Sequence, residues 1–150
     1  MTRCASCARW VGVILLTLSV VAGEAWACQV LATGLSFGQY DPTASQALTA
    51  TGFLRLTCPS PAIIRLNAGL HSQGAFTSRQ LISSNHTDRM RYNLFLEPTA
   101  LRVWGDGSAN TFVHQVPAGV SNLPIYGVIP GGQRLPVGLH SDTIAVTVEW

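Results

Sequence analysis

Apolar and polar residues alternate with a period of two along much of the chain. The pattern is clearest at the end, SDTIAVTVEW, where Ile144, Val146, Val148 and Trp150 interleave with Thr143, Ala145, Thr147 and Glu149. Successive side chains of extended backbone point to opposite sides, so this alternation predicts a strand with one buried face. In TGFLRLTC, Gly52, Leu54, Leu56 and Cys58 oppose Phe53, Arg55 and Thr57, and in RMRYNLFLE, Met90, Tyr92, Leu94 and Leu96 oppose Arg89, Arg91, Asn93, Phe95 and Glu97. CQVLATGLSFG, AIIRLN and LPIYGVI add further strands. No window of a dozen residues repeats apolar positions at helical spacing.

Between these runs stand turn signals: Tyr40-Asp41-Pro42, Pro59-Ser60-Pro61, Trp104-Gly105-Asp106-Gly107, Pro117-Ala118-Gly119 and Pro130-Gly131-Gly132. Six or seven short strands punctuated in this way predict an antiparallel sandwich or small barrel.

The first residues break the pattern. Arg3 and Arg9 precede an apolar run from Val11 to Ala22, followed by Ala25-Trp26-Ala27. A basic head, a short apolar middle and a small-x-small site predict a secretory signal peptide over residues 1–27, cut near Ala27. The run is short of the ~20 residues of a membrane-crossing helix, so the mature chain is expected to carry no transmembrane segment. A mature chain of residues 28–150 has the size of one domain. Lipid attachment at Cys28 is the rival reading, and Ala25-Trp26-Ala27 fits it poorly.

Cys4 and Cys7 fall in the predicted leader, which leaves Cys28 and Cys58. An even pair in an oxidising compartment predicts a disulfide joining the first strand to the next. Past the leader stand seven arginines, no lysine and six acids, a balance of 7 − 6 = +1. Without a concentrated basic patch, nucleic acid is not an expected partner.

Candidate chemistry is sparse. His71, His86, His114 and His140 lie far apart with no acid or cysteine cluster beside them, so no metal site is expected. His140-Ser141-Asp142 has the residue types of a catalytic triad, but sequence neighbours on or near a strand point in different directions. Ser141 and Asp142 read as the turn before the last strand. Asp106 in WGDG offers one carboxylate, too few for calcium, and reads as a turn residue. Asn85-His86-Thr87 fits a glycosylation triplet, a pattern common by chance. No catalytic residue and no cofactor are expected.

Taken together and in order, LSFGQYDP at 35–42, GFLRLTC at 52–58, WGDG at 104–107 and YGVIPGGQRLPVGLHSDTIAVTVEW at 126–150 resemble the spore coat protein U domain family, which supplies subunits of archaic chaperone-usher pili. The resemblance implies an incomplete immunoglobulin-like antiparallel β-sandwich that lacks its last strand. It implies a periplasmic chaperone and an outer-membrane usher as partners, completion by a donor strand from a neighbouring subunit, and passage through the periplasm to the cell surface. On that reading Ile144, Val146, Val148 and Trp150 form one face of the strand lining an open groove. An ordinary core strand has the same alternation, so the pattern alone leaves both readings open.

Three departures stand out. Trp150 is the last residue, whereas the related aromatic is penultimate in better-known pilins, and His140 stands where relatives commonly carry an aromatic. Chain-forming pilins also place a long donor extension before the first cysteine, whereas Cys28 directly follows the predicted cut. The expectation is a subunit that accepts a strand and gives none, as at a fibre tip. The alternative is a free-standing secreted binding module whose last strand pairs within its own chain.

Overall fold

The computed structural model describes residues 27–85 and 87–150. The predicted leader, its cut site up to Trp26, Cys4 and Cys7, and His86 lie outside the described residues. Among the described residues there are nine strands: β1 (Gln29–Ala32), β2 (Leu48–Cys58), β3 (Ala62–Leu66), β4 (Arg79–Ser83), β5 (Arg89–Phe95), β6 (His114–Val116), β7 (Gly119–Ile129), β8 (His140–Ser141) and β9 (Val146–Glu149). They form a six-stranded sheet in the order β1-β2-β7-β5-β4-β8 and a three-stranded sheet in the order β6-β3-β9. Every named pairing is antiparallel.

The core follows the alternation. Leu54, Leu56 and Cys58 of β2, Met90, Tyr92 and Leu94 of β5, and Leu123, Ile125 and Ile129 of β7 meet Ala62, Ile64 and Leu66 of β3 in one buried cluster with Trp104. Trp104 is fully buried and donates its indole N–H to the Ile64 carbonyl at 3.2 Å, as a buried indole requires. The predicted disulfide is formed between Cys28 and Cys58, across the β1–β2 pairing.

β2 and β7 are the spine, paired from Leu48↔Ile129 to Cys58↔Gly119. Pro124 sits inside β7 opposite Phe53, where a ladder donor would normally be needed. Both Phe53 backbone groups instead engage Thr33: the Phe53 carbonyl accepts from the Thr33 N–H at 2.9 Å, and the Phe53 N–H donates to the Thr33 Oγ1 at 2.9 Å. The Phe53–Pro124 pair therefore makes no mutual backbone bonds, and β5 pairing stops at Phe95↔Tyr126, short of Pro124. Among the described residues no strand pairs with Pro124 on that side.

Three expectations need correction. The first predicted strand is strand only over Gln29–Ala32, because residues beyond Thr33 leave β2. The last is strand only over Val146–Glu149, because Thr143 and Ala145 bond to the loop at 67–70. Ser141, expected in a turn, instead forms β8 with His140, the two pairing with Ile82 and Ser83 of β4.

Candidate functional site: an open cleft between the first and last segments

The chain leaves the β1 edge at Thr33 and returns to the same side of the molecule at residues 135–146. Between these segments lies an open cleft of about 930 Å³. One wall is residues 32–42, the other residues 135–142 with Ile144 and Val146. The floor is the exposed side of the core, including Leu81, Met90, Tyr92, Ile125 and Ile129. β9 is the edge of its sheet: one side pairs with β3, and among the described residues no strand pairs with the other.

The first wall is built by side chains settling onto bare backbone. Gly127 and Gly52 lie at inward positions of β7 and β2; a Cβ on Gly127 would fall 2.7 Å from the Phe37 ring and 2.9 Å from Leu35, and one on Gly52 would fall 3.2 Å from the Leu35 Cβ. Leu35 and Phe37 thus lie close on the sheet where it has no side chains, with the Phe37 ring edge-on to Tyr92 at 6.1 Å. Tyr40 fastens the far end, donating to the Pro130 carbonyl at 3.0 Å and accepting from the Gln133 N–H at 2.8 Å.

The second wall crosses from one sheet to the other between β8 and β9, pinned by Asp142 and Asn67. Asp142 accepts from the Tyr92 hydroxyl at 2.7 Å, the Leu70 N–H at 3.0 Å and the Thr143 N–H at 2.8 Å. Asn67 Oδ1 accepts from the Gly69 N–H at 3.1 Å and the Ala145 N–H at 2.9 Å. Gly69 has φ +94°, and a Cβ there would fall 2.1 Å from the Asp142 carboxylate. Only glycine suits that backbone and that approach.

Burial dominates the ionisation of Tyr92 and Arg79. Burial first, then the bond to Asp142, pushes the Tyr92 hydroxyl well above the ordinary phenol range. Arg79, fully buried behind the second wall, donates to the carbonyls of Asn67 and Trp104 at 2.8 and 2.7 Å and to Asn93 Oδ1 at 2.7 Å. Burial lowers its pKa to about 10, so it stays charged at neutral pH.

Of the residues predicted for a groove, Ile144 and Val146 line the cleft. Val148 packs on the core, paired with Ile64, without lining the cleft. Trp150 lies beyond β9 and is 58% exposed. Leu35, Phe37, Tyr40, Asn67 and Asp142 were not singled out from the sequence as site residues. The available signal was glycine at inward strand positions, which marks close approach by another segment.

The arrangement offers shape and apolar surface rather than reactive groups. His140 Nδ1 bonds the Gly138 carbonyl at 3.1 Å, while Asp142 is engaged by Tyr92, so the two belong to separate contacts. Among the described residues no three His, Cys, Asp or Glu side chains group as metal ligands, and no helix is long and apolar enough to cross a membrane.

Comparison with known proteins places this geometry. The family model of the Spore Coat Protein U domain matches residues 14–147. Protein U of Myxococcus xanthus is 33% identical over 129 residues, covering 76% of this chain and 70% of that protein. Among solved structures, the complex of chaperone CsuC with tip adhesion subunit CsuE, from archaic chaperone-usher Csu pili of Acinetobacter baumannii, matches with TM-score 0.54 and 21% identity. The match covers 83% of this chain and 40% of that one. The last likeness is one of fold, an all-β antiparallel architecture, and the family match spans nearly the whole sandwich. The chain belongs to the Spore Coat Protein U domain family.

Proposed function

We propose that this protein is a non-enzymatic structural or adhesive subunit of an archaic chaperone-usher pilus or surface coat. Its cleft accepts an extended segment of another subunit, and of a periplasmic chaperone before assembly at an outer-membrane usher. The observation that carries this reading is the coincidence of an apolar cleft with a strand, β9, that has one free edge and whose first residue, Val146, lines one wall. An added strand pairs its backbone with such an edge and sends alternate side chains inward. Four apolar side chains, at roughly 1.5–3 kcal/mol each for complete burial, supply on the order of 10 kcal/mol. That equals the whole stability of a small domain.

The finer reading, an accepting subunit at a fibre tip, rests on a cut next to Cys28 and is tested by sequencing the amino terminus of the secreted form. A long retained extension would refute it. A specific observation also favours the free-standing module: β9 is already bonded to β3 within the chain. Thermal melting of the secreted chain, with and without a peptide from another subunit's amino-terminal extension, decides between them. A low melting temperature that rises steeply with peptide supports assembly. Cooperative melting at high temperature, unmoved by peptide, supports the module.

A further inference from the structure

The outer face of the six-stranded sheet, on the far side of the core from the cleft, carries an unusual composition. No Asp or Glu occurs on β1, β2, β5 or β7. Arg55 of β2 and Arg89 and Arg91 of β5 are exposed there, and among the described residues none makes an ion pair. Glu97, just past the end of β5, is the nearest acid in that row and is held by Arg102 at 2.8 Å. Asp88, just before β5, accepts from the Thr87 hydroxyl at 2.9 Å.

Among these cations lie apolar groups. Phe53 is 51% exposed and Leu31 is 67% exposed, while Phe95 and Tyr126 pair across β5 and β7 and are half-buried. Phe53 stands on the long β2–β7 pairing with both backbone groups bonded to Thr33, so its ring is displayed from rigid backbone rather than a loop tip. Arg55 is the next outward position on the same strand, about 7 Å along it. Thr49, Thr51 and Thr57 offer hydroxyls on the same face of β2.

We propose that this face binds an acidic polysaccharide, with uronate carboxylates meeting Arg55 and Arg91 and sugar rings lying on Phe53 and Tyr126. Each part of that ligand has a counterpart. Guanidinium groups pair with carboxylates in bidentate fashion. The apolar faces of the rings match the C–H faces of a pyranose, threonine hydroxyls reach sugar hydroxyls, no acid on β1, β2, β5 or β7 repels a carboxylate, and Glu97 beside them is paired with Arg102. The cations are spaced among apolar groups instead of massed, which suits a chain that alternates charge with apolar surface better than the dense charge of nucleic acid. The inference does not depend on what fills the cleft.

The test is retention of the full secreted chain on immobilised polygalacturonate, against immobilised dextran, at low and high salt. Retention is expected on polygalacturonate alone and is expected to weaken with salt. Phe53→Ala and Arg55→Gln should each lower affinity about tenfold, equivalent to ~1.4 kcal/mol, and Arg55→Gln should do so with unchanged melting because its side chain is exposed. Arg134→Gln removes the same charge away from the sheet and should leave retention intact. No retention, equal retention on dextran, undiminished retention in both face variants, or an equal loss in the Arg134 variant would overturn the proposal. Tighter binding to phosphatidylglycerol vesicles than to polygalacturonate would overturn it in favour of a lipid surface.

Discussion

Replacing Gly127 by alanine tests how the first wall is built. In ordinary extended backbone, glycine to alanine stabilises by about 0.4–1 kcal/mol, because the unfolded chain loses freedom. Gly127 is not among the residues with positive φ, so that gain should operate. Against it stands overlap: the added Cβ would fall 2.7 and 2.9 Å from two Phe37 ring atoms and 2.9 Å from Leu35 Cδ2. Overpacking of this kind costs about 1–3 kcal/mol. The net expectation is a loss of about 1–2 kcal/mol in urea unfolding. Gly34→Ala, with nothing within 4 Å, should be neutral or stabilising. In a Phe37→Ala background the Gly127→Ala penalty should shrink, since contacting residues couple. A stabilising Gly127→Ala, or strict additivity with Phe37→Ala, would refute the packing of residues 35–37 on the sheet.

Other consequences follow from single contacts. Replacing Cys28 and Cys58 by serine opens a cross-link with sequence separation 30 and should cost about 3.5 kcal/mol in the chain-entropy account, read as a lower urea midpoint matched by adding reductant to the native chain. Arg79→Met strands the buried Trp104 carbonyl and removes a partner from the part-buried Asn67 carbonyl and Asn93 Oδ1. At about 1–3 kcal/mol for the one buried unsatisfied group, a loss of at least ~1 kcal/mol is expected. Arg79→Lys should recover only part of it, because an ammonium lacks the planar fork. Tyr92→Phe should destabilise at neutral pH by removing the bond to Asp142. The raised Tyr92 pKa means the folded chain keeps a proton that the unfolded chain releases above about pH 10. Stability from this group is therefore complete below pH 10 and declines above it. Denaturant titrations across that range should show a shallower alkaline decline in Tyr92→Phe.

Where one face of a strand is buried against the core along its length, the alternation revealed it. Leu54, Leu56 and Cys58 of β2 and Met90, Tyr92 and Leu94 of β5 are buried as the pattern requires. β4 escaped notice because Arg79-Gln80-Leu81-Ile82-Ser83 does not alternate: its first residue is a buried arginine and Ile82 and Ser83 are both buried in succession. β6 and β8 are three and two residues long, too short to show a period. The disulfide was legible for a different reason, since two cysteines in an oxidising compartment leave one pairing.

The cleft was harder to read because its walls are made by departures from regular structure. Leu35 and Phe37 alternate like strand residues, yet they turn inward over Gly52 and Gly127, and nothing local to LSFG states which glycines wait across the sheet. Asp142 looked like a turn residue because its use as a pin requires Tyr92 and Leu70, fifty and seventy-two positions away. The last strand shows the limit most plainly. Val146 and Val148 obey the same alternation, yet Val146 faces the cleft while Val148 seats only on the core. A strand that awaits a partner and a strand already packed have the same sequence period. Only the opposite wall tells them apart, which is why the glycine-to-alanine test on β7 bears on the site as directly as any change in β9.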